Sequence, residues 1–235
     1  MRETVGQVHH HRNVTGGAAR AAVFGVSDGL TTNVALILGV AGAHPAAGVV
    51  RLAGLAGLVG GSFSMAAGEW VSMRAQTELV ERELTIERNA IADAPEKERR
   101  ELAAIYRSQG VDARIADAMA GQVMADPDLA LEVHAREEMG VNVASLGSPP
   151  KAALSSFGSF AVGALAPLLP WLVAGGRAAL VASLVLATIA AVAAGAALGR
   201  FTGRGPARTA ARQFLIAAAA ASVTYGIGAL VGVSR

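Results

Sequence analysis

The residues best suited to chemistry in this 235-residue sequence are acidic side chains repeated at helical spacing within one segment. Of 18 Asp and Glu residues, 15 lie between Glu78 and Glu138, together with eight Lys and Arg residues. Residues three or four apart are neighbours on a helix, where like charges repel. The neighbouring sets are Glu78 with Glu81, Glu83 with Glu87, Glu98 with Glu101, and His134 with Glu137 and Glu138.

Two interpretations explain this clustering. Carboxylates with one imidazole suit a divalent cation such as Fe2+, Mn2+, Co2+ or Zn2+. Alternatively, the basic residues of the segment make it an ordinary solvated face with salt bridges, which the residues alone slightly favour. These basic residues include Arg82, Arg88, Arg99, Arg100 and Arg136.

A second set of polar residues lies within apolar sequence. A carboxylate inside a membrane is costly, so Asp28 needs an explanation. It is either an ion-pathway ligand or proton-coupled group, which we favour, or it lies at the cytoplasmic headgroup level or caps a helix that opens at Gly29. Met65 and Glu69 are one helical turn apart and share a face. A thioether with a carboxylate suits Fe2+ better than Mg2+ or Ca2+, although Met65 could simply pack and Glu69 could lie at the interface.

Five apolar stretches must position these residues. The mean hydropathy is +0.45 and 53% of residues are hydrophobic, whereas soluble domains average about 45–50%. The stretches cover residues 21–43, 52–73, 152–176, 178–199 and 214–233. Each is long enough to cross a hydrocarbon core of about 30 Å as a helix. We therefore predict an all-α membrane protein with five transmembrane helices and a helical domain inserted between the second and third.

The predicted domain plan has four parts. Residues 1–19 form a cytoplasmic tail, 20–73 hold helices 1 and 2, 74–150 form the acidic insert, and 151–235 hold helices 3 to 5. We predict that a helix continues from the second membrane span into the insert through residues 78–92. Further helices are predicted over 96–108, after Gly110, and over 128–139, where the last ends at Gly140.

Basic residues predict the orientation, because short cytoplasmic loops carry the excess of Lys and Arg. Arg200, Arg204, Arg208 and Arg212 surround the last connection, and Arg74 and Lys151 flank the insert. The N-terminus and the insert are therefore expected in the cytoplasm and the C-terminus outside.

Several function classes find no support. The sequence has no Cys, which leaves oxygen, imidazole and thioether ligands for any metal. We find no phosphate-binding or dinucleotide-binding glycine motif, no nucleophile arrangement and no basic-aromatic surface for nucleic acid. We expect neither an enzyme nor a bound prosthetic group.

Residues 27–33 (Ser-Asp-Gly-Leu-Thr-Thr-Asn) and 61–70 (Gly-Ser-Phe-Ser-Met-Ala-Ala-Gly-Glu-Trp) resemble the first two helices of the vacuolar iron transporter family. Further similar segments follow in order at 83–87, 125–127, 135–140 and 167–170. The resemblance implies a homodimeric five-helix transporter that moves Fe2+, and often Mn2+, out of the cytoplasm in exchange for protons.

The resemblance also implies residue roles. Positions matching Asp28 and Met65 line the translocation path, and Glu69 belongs to the same motif. Carboxylates of the insert collect metal, and these correspond to Glu87, Glu98, Glu101 and Glu138, with Glu83 nearby. The sequence departs from the plant pattern at Ala90, where those proteins have Glu, and at His134-Ala135, where they have Met-Glu.

A prokaryote-like sequence places such an exporter in the plasma membrane, in contact with lipid, divalent metal ions and protons. The alternative function is a membrane-anchored metal-binding or sensory protein that does not transport.

Overall fold

The computed structural model describes residues 17–141 and 147–233. In these residues the chain forms eight helices and no strand. They are α1 (Gly17–Gly42), α2 (Ala47–Asp93), α3 (Pro95–Ser108), α4 (Ala113–Met124), α5 (Pro127–Met139), α6 (Pro149–Val173), α7 (Gly176–Phe201) and α8 (Pro206–Val233). Five of them, α1, α2, α6, α7 and α8, are long and apolar enough to cross a membrane. The predicted all-α class and five spans are confirmed.

The chain divides into two compact units, and α2 contributes residues to both. The first comprises residues up to Trp70 and from Pro149 onward, and the second is Val71–Ser148. The apolar stretch predicted to end near residue 73 continues as helix to Asp93 without a break. Only Ala94 separates α2 from α3, which begins at Pro95, where the missing backbone N–H costs nothing.

In the first unit, α1 lies among α6, α7 and α8. Leu30, Val34 and Leu38 of α1 pack against alanines of α7 and α8. Ile37, seven residues after Leu30, packs in a second cluster with Val50 of α2 and Leu168 of α6. Because the α7 and α8 residues in this core are small, these helices approach α1 closely, as membrane helices commonly do.

Glycines bring the backbone of α1 into direct contact with its neighbours. A Cβ at Gly29 would overlap the carbonyl oxygen of Phe160, and one at Gly163 would overlap that of Val26. On α8, a Cβ at Gly228 would overlap the carbonyl oxygen of Gly39. No side chain fits at these crossings, so the glycines are required there for close approach.

Helix α6 contains two internal prolines, Pro167 and Pro170, and continues past both to Val173. Polar side chains from other helices bind to its backbone near these prolines. The buried Asn33 Nδ2 donates to the carbonyl of Ala164 at 2.7 Å, and Ser183 Oγ donates to the carbonyl of Pro167 at 2.6 Å. A buried amide or hydroxyl without a partner is costly in an apolar medium, and each of these two side chains finds its acceptor in a carbonyl of α6. These two hydrogen bonds join α1 and α7 to the proline-containing part of α6.

The second unit is a small helical domain with two apolar clusters. Leu102 and Tyr106 of α3 pack with Ala116 and Ala120 of α4 and with Val133 of α5. Helix α5 begins where Asp126 accepts hydrogen bonds from the backbone N–H groups of residues 128 and 129. It ends at Gly140, whose positive φ of 65° is accessible to glycine. Both ends of α5 are therefore determined by local sequence.

We expect Gly163→Ala to lower the unfolding temperature of the detergent-solubilised protein, because its Cβ would meet the backbone of α1 at Val26. Overpacking of this kind costs about 1–3 kcal/mol. The matched control on the same helix is Gly158→Ala, where no described atom lies within 4 Å of the added Cβ. Thermal unfolding followed by Trp fluorescence tests the difference, and equal midpoints for the two variants would contradict the glycine-contact interpretation.

Candidate metal-binding site

The charged part of α2, beyond its apolar segment, and α5 place a carboxylate opposite an imidazole. Ile91 of α2 packs in one cluster with Ala130 and Leu131 of α5. Glu87 lies four residues before Ile91, and His134 lies four residues after Ala130, so each shares the face of an apolar contact. The two side chains therefore meet where the apolar contact between the helices ends.

Three side chains form a compact set of potential metal ligands. His134 Nδ1 lies 2.8 Å from Glu138 Oε1 and 3.1 Å from Glu87 Oε1. The ligand atoms of Glu87, His134 and Glu138 all lie within 4.8 Å of one another. Two atoms bound to one ion at about 2.1 Å are at most about 4.2 Å apart. A closure of no more than roughly 0.6 Å would therefore let all three reach a common ion.

Two atoms of this set have no hydrogen-bond partner among the described residues. They are Glu87 Oε1 and His134 Nε2, both buried. A single ring N–H of His134 can point at only one carboxylate, and the contact to Glu138 has hydrogen-bond geometry. Glu87 Oε1 is thus within ion-pair distance of the ring but unbonded. Buried polar atoms without partners are uncommon, and a bound cation would satisfy the oxygen.

Burial and repulsion raise the pKa of the Glu87 carboxyl. Its side chain is only 14% exposed, and desolvation of the charged form is the largest cause. The negative charges of Glu138, Glu98 and Glu101 raise this pKa further, whereas His134 lowers it. A raised pKa means that the Glu87 carboxyl is stabilised either by binding a proton or by a cation close to its oxygen.

Helix α3 brings two further carboxylates into this electrostatic environment. The Glu98 side chain is 4% exposed and lies on the same helix face as Leu102, which anchors α3 in the domain core. Its Oε1 accepts a hydrogen bond from Lys97 Nζ at 2.9 Å. The same ammonium lies 3.5 Å from Glu101 Oε2. Glu98 and Glu101 thus share one counter-charge, and this raises the pKa of Lys97.

The remaining predicted residues of the insert lie outside the compact set. Glu83 is half-buried on α2, one turn before Glu87. Glu137 accepts a hydrogen bond from Gln109 Nε2 at 2.9 Å and one from Arg136 Nε at 3.3 Å. These hydrogen bonds, the bond from Gln109 first, lower the pKa of Glu137. Glu137 is therefore held by donors on another side of α5.

Sequence reasoning missed Lys97 and Gln109. A spacing signal existed for Lys97, which is adjacent to Glu98 and four residues before Glu101, within reach of both carboxylates. No local signal exists for Gln109, which meets Glu137 from 28 residues away.

The predicted pathway residues lie in the first unit. Asp28 is exposed and accepts a hydrogen bond from Thr32 Oγ1 at 3.3 Å. Since α1 begins at Gly17, Asp28 lies within the helix and does not cap it. Met65 and Glu69 are half-buried, one turn apart on α2.

Comparison with known proteins identifies relatives over nearly the whole chain. The model of the VIT family matches residues 19–229. "Vacuolar iron transporter 1" of Oryza sativa is 30% identical over 95% of this chain and 90% of its own length. "Vacuolar iron transporter 1" of Eucalyptus grandis is 31% identical over 95% and 90%. "Vacuolar iron transporter" of Acanthamoeba castellanii is 35% identical over 70% of this chain, and the match spans 59% of that protein.

The raised pKa of Glu87 predicts a pH-dependent stability. The folded state retains this proton to higher pH than the unfolded state, so its stability falls as pH rises above the ordinary carboxyl value. We expect Glu87→Gln to raise the unfolding temperature of the metal-free protein at neutral pH, with the difference disappearing near pH 4.5.

Circular dichroism of the full-length protein in chelator, at several pH values, measures this effect. Glu81→Gln, an exposed position on the same helix, is the matched control and is expected to have little effect. A Glu87→Gln variant less stable than the parent at neutral pH would show that the ionised carboxylate stabilises the fold.

Proposed function

Because the chain belongs to the VIT family, we propose that this integral membrane protein exports Fe2+, and also Mn2+, from the cytoplasm in exchange for protons. The observation that carries the proposal is the set formed by Glu87, His134 and Glu138, whose ligand atoms lie within 4.8 Å of one another. The relatives named vacuolar iron transporters supply iron as the cargo.

The insert would load the metal. Two carboxylates and an imidazole suit divalent ions of borderline character, which include Fe2+, Mn2+, Co2+ and Zn2+, better than Mg2+ or Ca2+. Glu98 and Glu101 would add oxygen ligands or a second ion position, since their charges act on Glu87. Glu83 and Glu137 would collect ions at the margin of the site. Glu137 would first have to release its hydrogen bonds from Gln109 and Arg136.

Asp28, Met65 and Glu69 would carry the ion through the membrane. Asp28 lies about one turn inside the apolar segment Phe24–Gly42. A carboxylate at that position is costly in hydrocarbon, and its exposure in the single chain requires water, an ion or another protein surface around it. A homodimer that covers this face would provide such an enclosure, and we propose that state.

Proton exchange follows from the same carboxylates. A buried carboxylate loses the cation when the metal leaves, and a proton is then the available neutralising charge. The raised pKa of Glu87 supports this exchange within the insert. The Arg residues at 200, 204, 208 and 212 support an inward-facing last loop, hence a cytoplasmic N-terminus and insert and an external C-terminus. We propose the plasma membrane of a prokaryote as its location.

Transport by proteoliposomes tests this function. We expect Fe2+ and Mn2+ flux that depends on a pH gradient and falls at least about tenfold in Asp28→Asn, which removes the charge while retaining the size of the side chain. Asp93→Asn, at the end of α2, is the control for loss of a carboxylate. Flux that persists unchanged in Asp28→Asn would remove this residue from the pathway.

Metal binding by the insert has its own test. His134→Ala removes the imidazole from the compact set, and we expect an affinity for Mn2+ lower by about 10–100-fold. Glu132→Gln, an exposed carboxylate on the same helix, should retain normal affinity. Isothermal titration of the full-length protein in detergent measures both. Binding without flux in wild-type proteoliposomes would instead favour the membrane-anchored sensory function.

A further inference from the structure

Lys97 has an unusual position relative to the candidate metal site. Its ammonium contacts both Glu98, at 2.9 Å, and Glu101, at 3.5 Å. The exposures of the partners differ strongly, because the Lys97 side chain is 66% exposed and that of Glu98 only 4%. A mobile, solvated cation therefore neutralises a carboxylate that is held inside the domain.

This arrangement lowers the cost of the metal-free state. A buried carboxylate without a counter-charge is strongly unfavourable. The pair formed with Lys97 offsets that cost, and no other ion pair involving Glu98 occurs in the described part of the chain. Lys97 thus occupies the side of Glu98 and Glu101 on which another cation would compete.

The two carboxylates belong electrostatically to the metal site. Charges on Glu98 and Glu101 both act on Glu87, which contacts His134 at 3.1 Å. An incoming divalent ion near Glu87 is therefore attracted by Glu98 and Glu101 and repelled by the ammonium of Lys97. Since the lysine stem is flexible and largely in water, the ammonium can move into solvent when a divalent ion binds.

We propose that Lys97 is a built-in competitor of the metal, holding Glu98 and Glu101 until a divalent ion displaces its ammonium and thereby weakening metal affinity. This inference rests on the proposed metal loading by the insert. Lys97 is not a ligand in this scheme. It sets the affinity at which the insert loads, and it keeps the carboxylates neutralised after the ion has left.

Metal affinity and stability respond to Lys97 in opposite directions under this proposal. We expect Lys97→Met and Lys97→Gln to bind Mn2+ about three- to tenfold more tightly than the wild type, because the competing charge is removed. The same variants should unfold at a lower temperature in chelator, because Glu98 remains buried without its counter-charge. A purely structural lysine would weaken both properties.

The experiment uses the full-length protein in detergent, with Mn2+ binding followed by the electron paramagnetic resonance signal of the free ion. Arg99→Gln is the matched control, since it removes one positive charge from the same helix, where Arg99 pairs with Glu96 at 3.1 Å. Its affinity should stay within about twofold of the wild type. Lys97→Arg keeps the positive charge and should bind Mn2+ no more tightly than the wild type. This variant can be tested even if the neutral variants misfold.

Each outcome decides the proposal. Tighter binding in the neutral Lys97 variants, but not in Arg99→Gln or Lys97→Arg, supports it. Unchanged or weaker binding of Mn2+ in well-folded neutral Lys97 variants overturns this inference and leaves the proposed metal loading intact. Equally tighter binding in Arg99→Gln also overturns it, because the effect would then come from net charge alone. If the neutral variants misfold, the charge-retaining Lys97→Arg variant is used instead. Tighter binding of Mn2+ by this variant overturns the inference, and an affinity equal to or weaker than that of the wild type supports it. Absence of Mn2+ binding in the wild type overturns both this inference and metal loading by the insert.

Discussion

Mutual repulsion among carboxylates is the constraint on which the insert depends. Glu98, Glu101 and Glu138 each act on the partly buried Glu87. The positive or neutral groups that contact these carboxylates are Lys97 and His134. A domain built for stability alone would avoid this arrangement, because each like-charged neighbour adds cost. The fold tolerates it because apolar contacts between α2 and α5, and among α3, α4 and α5, hold the helices together. A divalent cation can offset the repulsion between the carboxylates that remains.

Much of the architecture could be predicted because its causes are local. Long apolar stretches determine the five spans, and turn residues determine the ends of α3 and α5, as at Pro95, Asp126 and Gly140. The helix predicted over 96–108 differs from α3 by a single residue at its start. Hydropathy alone could not predict that α2 would remain one helix from Ala47 to Asp93, although a helical continuation past the apolar stretch was expected.

The site was harder to predict, because it depends on how each helix is rotated. Glu137 and Glu138 lie three and four residues after His134, so spacing alone makes both of them neighbours of the imidazole. The packing of α5 directs Glu138 to the ring and leaves Glu137 with Gln109. Pairwise spacing also groups Glu98 with Glu101 but does not reveal that Glu98 is buried, which follows from the contacts of Leu102 in the core. Local spacing therefore identifies several acidic residues that could reach the site, and long-range packing determines which of them do.

The glycine crossings of α1 have a mechanical consequence. Where side chains separate two helices, a helix can slide while rotamers adjust around it. At Gly29, Gly163 and Gly228 the neighbour is backbone, which has no rotamers to exchange. Motion along these contacts can therefore occur only as a displacement of whole helices, and α1, with Asp28 on it, should behave as part of one stiff block with α6 and α8. Mutational tolerance should be lowest at these crossings, since no change in a neighbouring side chain can make room for an added methyl group.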